Sequence, residues 1–159
     1  MRRLLPGLTA ILVLNACGGS SPTAPTPLPS DLAAAPTRVV LAGKSLSLDA
    51  SLWRDFMPIS PPDGKPLVAG LQVRTEDGSD VPATVRADMV WVLNGADTWS
   101  TLPREERSRQ ETAPVYELVA RDGPKWGPGI TVDVVVRLHE AGGRKSLLRV
   151  ANRLIQGTF

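Results

Sequence analysis

One cysteine and one histidine set the limits on the chemistry of this chain. Nucleophilic catalysis needs an activated Cys, Ser or Thr with a base in reach. His139 is the only imidazole, and it alternates onto the outward face of a strand, beside Glu140 and the Gly142-Gly143 turn. It reads as a solvated side chain. No Gly-x-Ser-x-Gly occurs, and no Gly-rich loop leads from a strand into a helix to cradle phosphate. A single His excludes a multi-His metal site, and a single Cys excludes an intramolecular disulfide. Paired carboxylates could hydrolyse glycosides. The candidates Asp55, Asp63, Asp77, Asp80 and Asp88 mostly sit at turns, where Asp belongs for backbone reasons. Glu76-Asp77-Gly78-Ser79-Asp80 offers oxygen ligands for Ca²⁺ but is too short for an EF-hand loop, and a hairpin turn explains it. The expected catalytic set is therefore empty, with no metal and no cofactor.

Tryptophan is the more suggestive residue. The chain has four Trp against two Phe and one Tyr. Trp91 reads as core. Trp53 falls on the polar side of its strand, in step with Ser47, Asp49 and Ser51. Trp99 and Trp126 lie in or beside loops. Exposed indoles stack on sugars or anchor a protein partner, which makes Trp53, Trp99 and Trp126 the candidate binding surface. The competing reading is that they cap the ends of the fold, with a β-bulge returning Trp53 to the core.

The lone cysteine gains meaning from what precedes it. Met1-Arg2-Arg3 is a short cationic start, and Leu4 to Leu14 is an apolar run. A bilayer-spanning helix needs about 20 apolar residues, so this run fits a secretory leader instead. It ends in Leu14-Asn15-Ala16-Cys17, followed by Gly18-Gly19-Ser20-Ser21. This segment resembles the lipobox of bacterial lipoproteins, with Leu14 at the branched apolar position, Ala16 at the small residue before the cut, and Cys17 at the lipidated position. Asn15 departs from the usual Ala, Ser or Thr. The resemblance covers residues 1 to about 21. It implies cleavage before Cys17, diacylglycerol on its thiol and often a further acyl chain, such as palmitate, on the new terminus. Each buried CH₂ contributes about 0.8 kcal/mol, so two or three chains anchor stably where one does not. Gly18 stands where an Asp commonly directs retention in the inner membrane of Gram-negative bacteria. The resemblance thus leans towards the outer membrane, with the chain facing periplasm or exterior.

Residues 18–37, GGSSPTAPTPLPSDLAAAPT, carry five prolines, and Leu28 and Leu32 are their only large apolar residues. Such a segment buries too little to offset its ordering entropy. As an extended spacer it would reach roughly 60 Å. The chain thus divides into a leader over 1–16, a lipidated Cys and disordered Pro-rich tether over 17–37, and one folding unit over 38–159. The full chain holds 18 Lys+Arg and 16 Asp+Glu, and loss of Arg2 and Arg3 leaves it formally neutral. A neutral domain without a basic run is a poor nucleic-acid binder.

Within the folding unit the dominant period is two. Leu46, Leu48, Ala50 and Leu52 alternate with Ser45, Ser47, Asp49 and Ser51. Leu67, Ala69, Leu71 and Val73 alternate with Val68, Gly70, Gln72 and Arg74. Val85, Ala87, Met89, Trp91 and Leu93 share one phase, as do Tyr116, Leu118 and Ala120, and Ile130, Val132, Val134, Val136 and Leu138. The last strand, about 145–155, is ambiguous, because Leu148, Val150 and Leu154 favour one face, and Leu147 and Ile155 the other. A short strand is expected around Thr98–Leu102. Asp63-Gly64, Asp77-Gly78, Asn94-Gly95, Asp122-Gly123 and Gly142-Gly143 separate the strands. Residues 100–114 are charged and read as a solvated connection, with a helical turn from Pro103 or a docking loop as variants.

About seven short alternating strands predict an all-β fold, an antiparallel two-sheet sandwich. It looks like the immunoglobulin-like or fibronectin-III-like group of bacterial envelope proteins, with a transthyretin-like or other small sandwich as the alternative. The functional expectation is a membrane-anchored, non-enzymatic binding or structural module that docks an envelope protein or polymer. A glycan-binding module using exposed Trp is a special case, and a small envelope hydrolase using paired carboxylates is the competing class.

Overall fold

The structure, a computed structural model, describes residues 26–106, 112–140 and 143–159. Cys17, the leader and the first part of the tether lie outside the described residues. One short helix, α1 (Pro29–Ala33), precedes eleven strands. These are β1 (Arg38–Leu41), β2 (Lys44–Asp55), β3 (Leu67–Thr75), β4 (Val81–Pro82), β5 (Val85–Asn94) and β6 (Asp97–Thr101). They continue with β7 (Arg104–Glu105), β8 (Thr112–Ala113), β9 (Val115–Gly123), β10 (Thr131–Glu140) and β11 (Lys145–Thr158). Strand takes 62% of the described residues and helix 4%.

The all-β expectation holds, but the antiparallel two-sheet, immunoglobulin-like sandwich does not. The long strands form one curled mixed sheet, a half-barrel, in the order β6-β5-β10-β11-β2-β3-β9-β7, with β1 also on β2. The joint is β11. Its earlier residues pair antiparallel with β10, and Ile155–Thr158 then pair parallel with Leu52–Asp55 of β2. A parallel pair needs a long crossover, and here nearly the whole domain between β2 and β11 supplies it. Residue alternation reports which face of a strand is buried, not which edges join. β4 and β8 form a separate two-stranded ribbon. Arg104–Glu105 pairs with Val119 and Leu118 of β9 as β7, so the chain after Pro103 starts as strand and not as a helical turn.

Alternation places the main core correctly along most strands. Leu46, Leu48, Ala50 and Leu52 pack with Leu67, Ala69, Leu71 and Val73, with Tyr116, Leu118 and Ala120, and with Val132, Val134, Val136 and Leu138. Two bulges change the phase elsewhere. Between β10 and β5, Arg137 pairs with Met89 but Leu138 pairs with Ala87, leaving Asp88 as the extra residue. Val85 therefore faces the core before the bulge, and Val90 and Val92 after it. Met89 and Trp91, expected inside with Val85, turn to the other face. The freed N–H of Ala87 donates to the Tyr116 hydroxyl at 3.2 Å. The second bulge lies opposite Asp133, where β11 inserts a residue and Asn152 takes φ 56°. Its N–H donates to the Asp133 carboxylate. This resolves the ambiguous strand: Leu148 faces the core before the bulge and Ile155 after it.

The outward face of β5 and β10 is covered too. Trp91, 5% exposed, and Val135 pack with Leu32 and Ala35, and Met89, Leu93 and Leu147 surround them. The end of the segment expected to be unstructured is thus ordered. α1 begins with Pro29 at its first turn, where a missing N–H costs nothing. Leu32, 2% exposed, lies against the sheet. The Pro36 carbonyl accepts from Arg149 N–H at 2.8 Å.

The extra residue of the first bulge carries a measurable consequence. Asp88 accepts from Arg137 Nε at 2.6 Å and lies 3.1 Å from Lys145 Nζ, while the Arg137 guanidinium sits 5.5 Å over the Trp91 ring. Partial burial pushes the Asp88 carboxyl up, but the hydrogen bonds and charges of Arg137 and Lys145 outweigh it, and its pKa falls below the ordinary value. A lowered folded pKa favours the fold while the carboxyl is ionised. That stability is present above about pH 4 and is lost as pH falls through the lower folded value. Asp88→Asn should flatten this part of the acid limb in stability measured by urea unfolding between about pH 5 and 2. An unchanged pH slope would contradict it.

A candidate binding trough on the outer face

Because Ala50, Leu52, Ala69, Leu71, Leu118 and Ala120 face inward, their alternates on β2, β3 and β9 line the outside. The register sets these in rows. Asp49 stands opposite Gln72, and Gln72 opposite Glu117. The next row is Ser51, Gly70 and Val119, and the one after begins with Trp53 and Val68. Two adjacent small residues, Ser51 and Gly70, make a low row between taller ones. The result is a concave trough of about 300 Å³. Its lining includes Asp49, Ser51, Trp53, Gln72, Glu106 and Glu117.

Gly70 positions the indole. A Cβ built there would stand 3.4 Å from Trp53 Cζ3 and 3.7 Å from Cη2. The benzo edge of Trp53 therefore reaches over the glycine backbone, and Trp53 remains only partly buried. No core cluster includes it. The strand register alone places it on the polar face, and no bulge returns it to the core.

The polar walls are held by arginines. Where β11 diverges from β2, the Ala50 carbonyl accepts from Arg153 Nε at 2.8 Å, and the same guanidinium binds the Asp49 carboxylate. Arg121 pairs with Glu106. Arg74 Nη2 donates to Gln72 Oε1 at 2.7 Å, and Gln72 Nε2 donates to Glu117 Oε1 at 3.4 Å. Three carboxylates thus meet three guanidinium groups, one of them through an amide. Among the described residues the trough is rich in polar atoms, and its carboxylates and the surrounding arginines are equal in number.

The other candidate residues lie elsewhere. Trp99 and Trp126 are partly buried and pack against the main core. A Cβ at Gly123 would stand 2.9 Å from Trp99 Cζ3, so that indole fills the space a side chain would take. The structure therefore divides the three tryptophans: two cap the core and one borders the trough. Gly70, Gln72 and Glu117 were not singled out by sequence reasoning. Their outward phase was legible, but their alignment with Asp49 and Ser51 needs the strand register.

Four of the five carboxylates considered for acid–base chemistry, Asp55, Asp63, Asp77 and Asp88, are held in the wrong state for a general acid. Hydrogen bonds from Lys65 and the Met57 N–H lower Asp55, and a hydrogen bond from Lys125 lowers Asp63. Hydrogen bonds from Ser79 and Lys44 push Asp77 far below the ordinary range. Asp88 is lowered as well. A general acid needs the opposite shift. The Asp77 carboxylate accepts from the Ser79 N–H and hydroxyl and pairs with Lys44 at 2.9 Å, which makes the segment a closed turn. Among the described residues no group of three or more His, Cys, Asp or Glu is placed to hold a metal ion, and no helix is long and apolar enough to cross a membrane. No protein family, curated protein or solved structure matches the chain.

Proposed function

We propose that this protein is a lipid-anchored module of a bacterial cell envelope, held to the cell or outer membrane through Cys17, that binds an envelope component without catalysis. The binding surface is the outer face of β2, β3 and β9. The single observation that carries this reading is the trough beside Trp53, where an incompletely buried indole and preset polar groups border one concavity. Concave sites with a few convergent polar groups are the usual form of small-ligand sites. The lipobox-like segment ending at Cys17 supports the anchor. None of the lowered carboxylates Asp55, Asp63, Asp77 and Asp88 is tuned as the general acid that a paired-carboxylate hydrolase needs.

Anchoring has a direct test. Cys17→Ser should abolish acyl labelling and leave any processed chain in the soluble fraction. A membrane-bound Cys17→Ser protein with its leader removed would contradict the anchor. Binding is tested by recovering the lipidated protein with crosslinked material from its own envelope. Trp53→Ala should lose those adducts, and full retention would contradict the assigned face.

A further inference from the structure

We infer that the trough takes a neutral saccharide, with a pyranose ring against the Trp53 indole and its hydroxyls on the Asp49, Gln72 and Glu117 side chains. The inference rests on the proposed binding face and adds the class of ligand.

Three features carry it. The first is charge. A cationic ligand would also favour an indole beside carboxylates. Here, however, Asp49 is matched by Arg153, Glu106 by Arg121, and Glu117 is reached by Arg74 through Gln72. Among the described residues these three carboxylates are matched by three arginines, which leaves neither sign in excess for a cation or an anion. The second is hydrogen-bond geometry. The carboxylates and amide of Asp49, Gln72 and Glu117, side by side on neighbouring strands, present planar acceptors and donors at the inter-strand spacing. Adjacent sugar hydroxyls, each both donor and acceptor, can bridge such groups. Arg153 holds Asp49 and Arg74 holds Gln72 before a ligand arrives, which lowers the ordering cost of binding. The third is shape. The C–H face of a pyranose is flat and apolar, and it packs on an aromatic ring as another apolar surface would. Ser51 and Gly70 leave the space beside the indole open. The trough's volume, about 300 Å³, lies at the small end of ligand sites.

The test uses the mature chain, residues 17–159, with Cys17→Ser to keep it in solution. Chitotriose, cellotriose and maltotriose are the neutral probes, and choline and spermidine the cationic ones. The readout is the NMR signal of each indole N–H. At least one neutral trisaccharide should shift the Trp53 signal saturably, with Trp99 and Trp126 unmoved. Trp53→Ala should weaken that binding at least tenfold. Gly70→Val should do the same by filling the trough floor, and a branched residue suits a strand. Both variants should melt near the parent temperature; should Gly70→Val fail to fold, Gln72→Ala replaces it. A Trp53 shift with the cationic probes alone, no shift with any neutral probe, or neutral binding undiminished in the folded variants would overturn the saccharide. If envelope adducts still depend on Trp53 while no trisaccharide binds, the binding face stands and the ligand class falls. If the adducts are also indifferent to Trp53, both fall.

Discussion

Arg54→Met should lower the unfolding free energy by about 3–5 kcal/mol. Arg54 is 3% exposed, yet among the described residues no carboxylate is buried to neutralise it. Its guanidinium instead donates to four backbone carbonyls. Nε reaches Lys65 O at 2.9 Å, Nη1 reaches Lys125 O at 3.0 Å and Gly127 O at 2.8 Å, and Nη2 reaches Asp63 O. These carbonyls belong to two loops, one after β2 and one before β10, so a single side chain ties both to the sheet. The guanidinium also lies 4.9 Å over the Phe56 ring, which stacks on Phe159 at 5.4 Å. Methionine keeps the apolar stem and strands the acceptors, each costing about 1–3 kcal/mol if no water reaches it. Lysine is no substitute, because one ammonium cannot reproduce a planar fork that spans both loops. Urea unfolding of Arg54→Met and Arg54→Lys checks this. A midpoint shift worth less than about 1 kcal/mol in both would contradict the clamp.

Val134→Asp should unfold the domain. Val134 is 0% exposed in the main core and pairs with Val92 on one side and Val150 on the other. Arg54, the one buried cation among the described residues, is committed to four backbone carbonyls. An unpaired carboxyl there costs several kcal/mol even if it takes up a proton, against a typical total stability of about 5–15 kcal/mol. Thr131→Asp, on an exposed position of the same strand, should change stability by no more than about 0.5 kcal/mol. Circular dichroism and thermal melting of the pair give the comparison. A cooperative transition in Val134→Asp close to that of Thr131→Asp would contradict the assigned core face.

The sequence made the strands readable because each long strand buries one face, which imposes period two. It hid the phase changes, because a bulge leaves no compositional mark. Asp88 and Asn152 are ordinary residues, and only the pairing shows that each shifts its strand by one. Trp91 illustrates the effect: its burial was expected, but it is buried on the opposite face, under Leu32 and Ala35. The helical turn around Leu32 leaves little mark in the sequence, because its prolines and alanines look like spacer. The single-sheet arrangement was hidden for a different reason. The parallel contact of Ile155–Thr158 with Leu52–Asp55 joins residues from opposite ends of the domain, and nothing local encodes it. The trough falls between these cases. Trp53 stood out on the polar phase, whereas Gly70 and Glu117 become its neighbours only through cross-strand register.

The most direct test places a photo-crosslinking residue at Ser51, on the trough, or at Thr98, an exposed position on β6 at the far end of the sheet order. Both lipidated proteins are irradiated in their own envelope. Ser51 should give adducts that disappear when Trp53→Ala is added, and Thr98 should give few or none. Equal adducts from both positions, or Ser51 adducts that persist with Trp53→Ala, would contradict the trough as the binding surface.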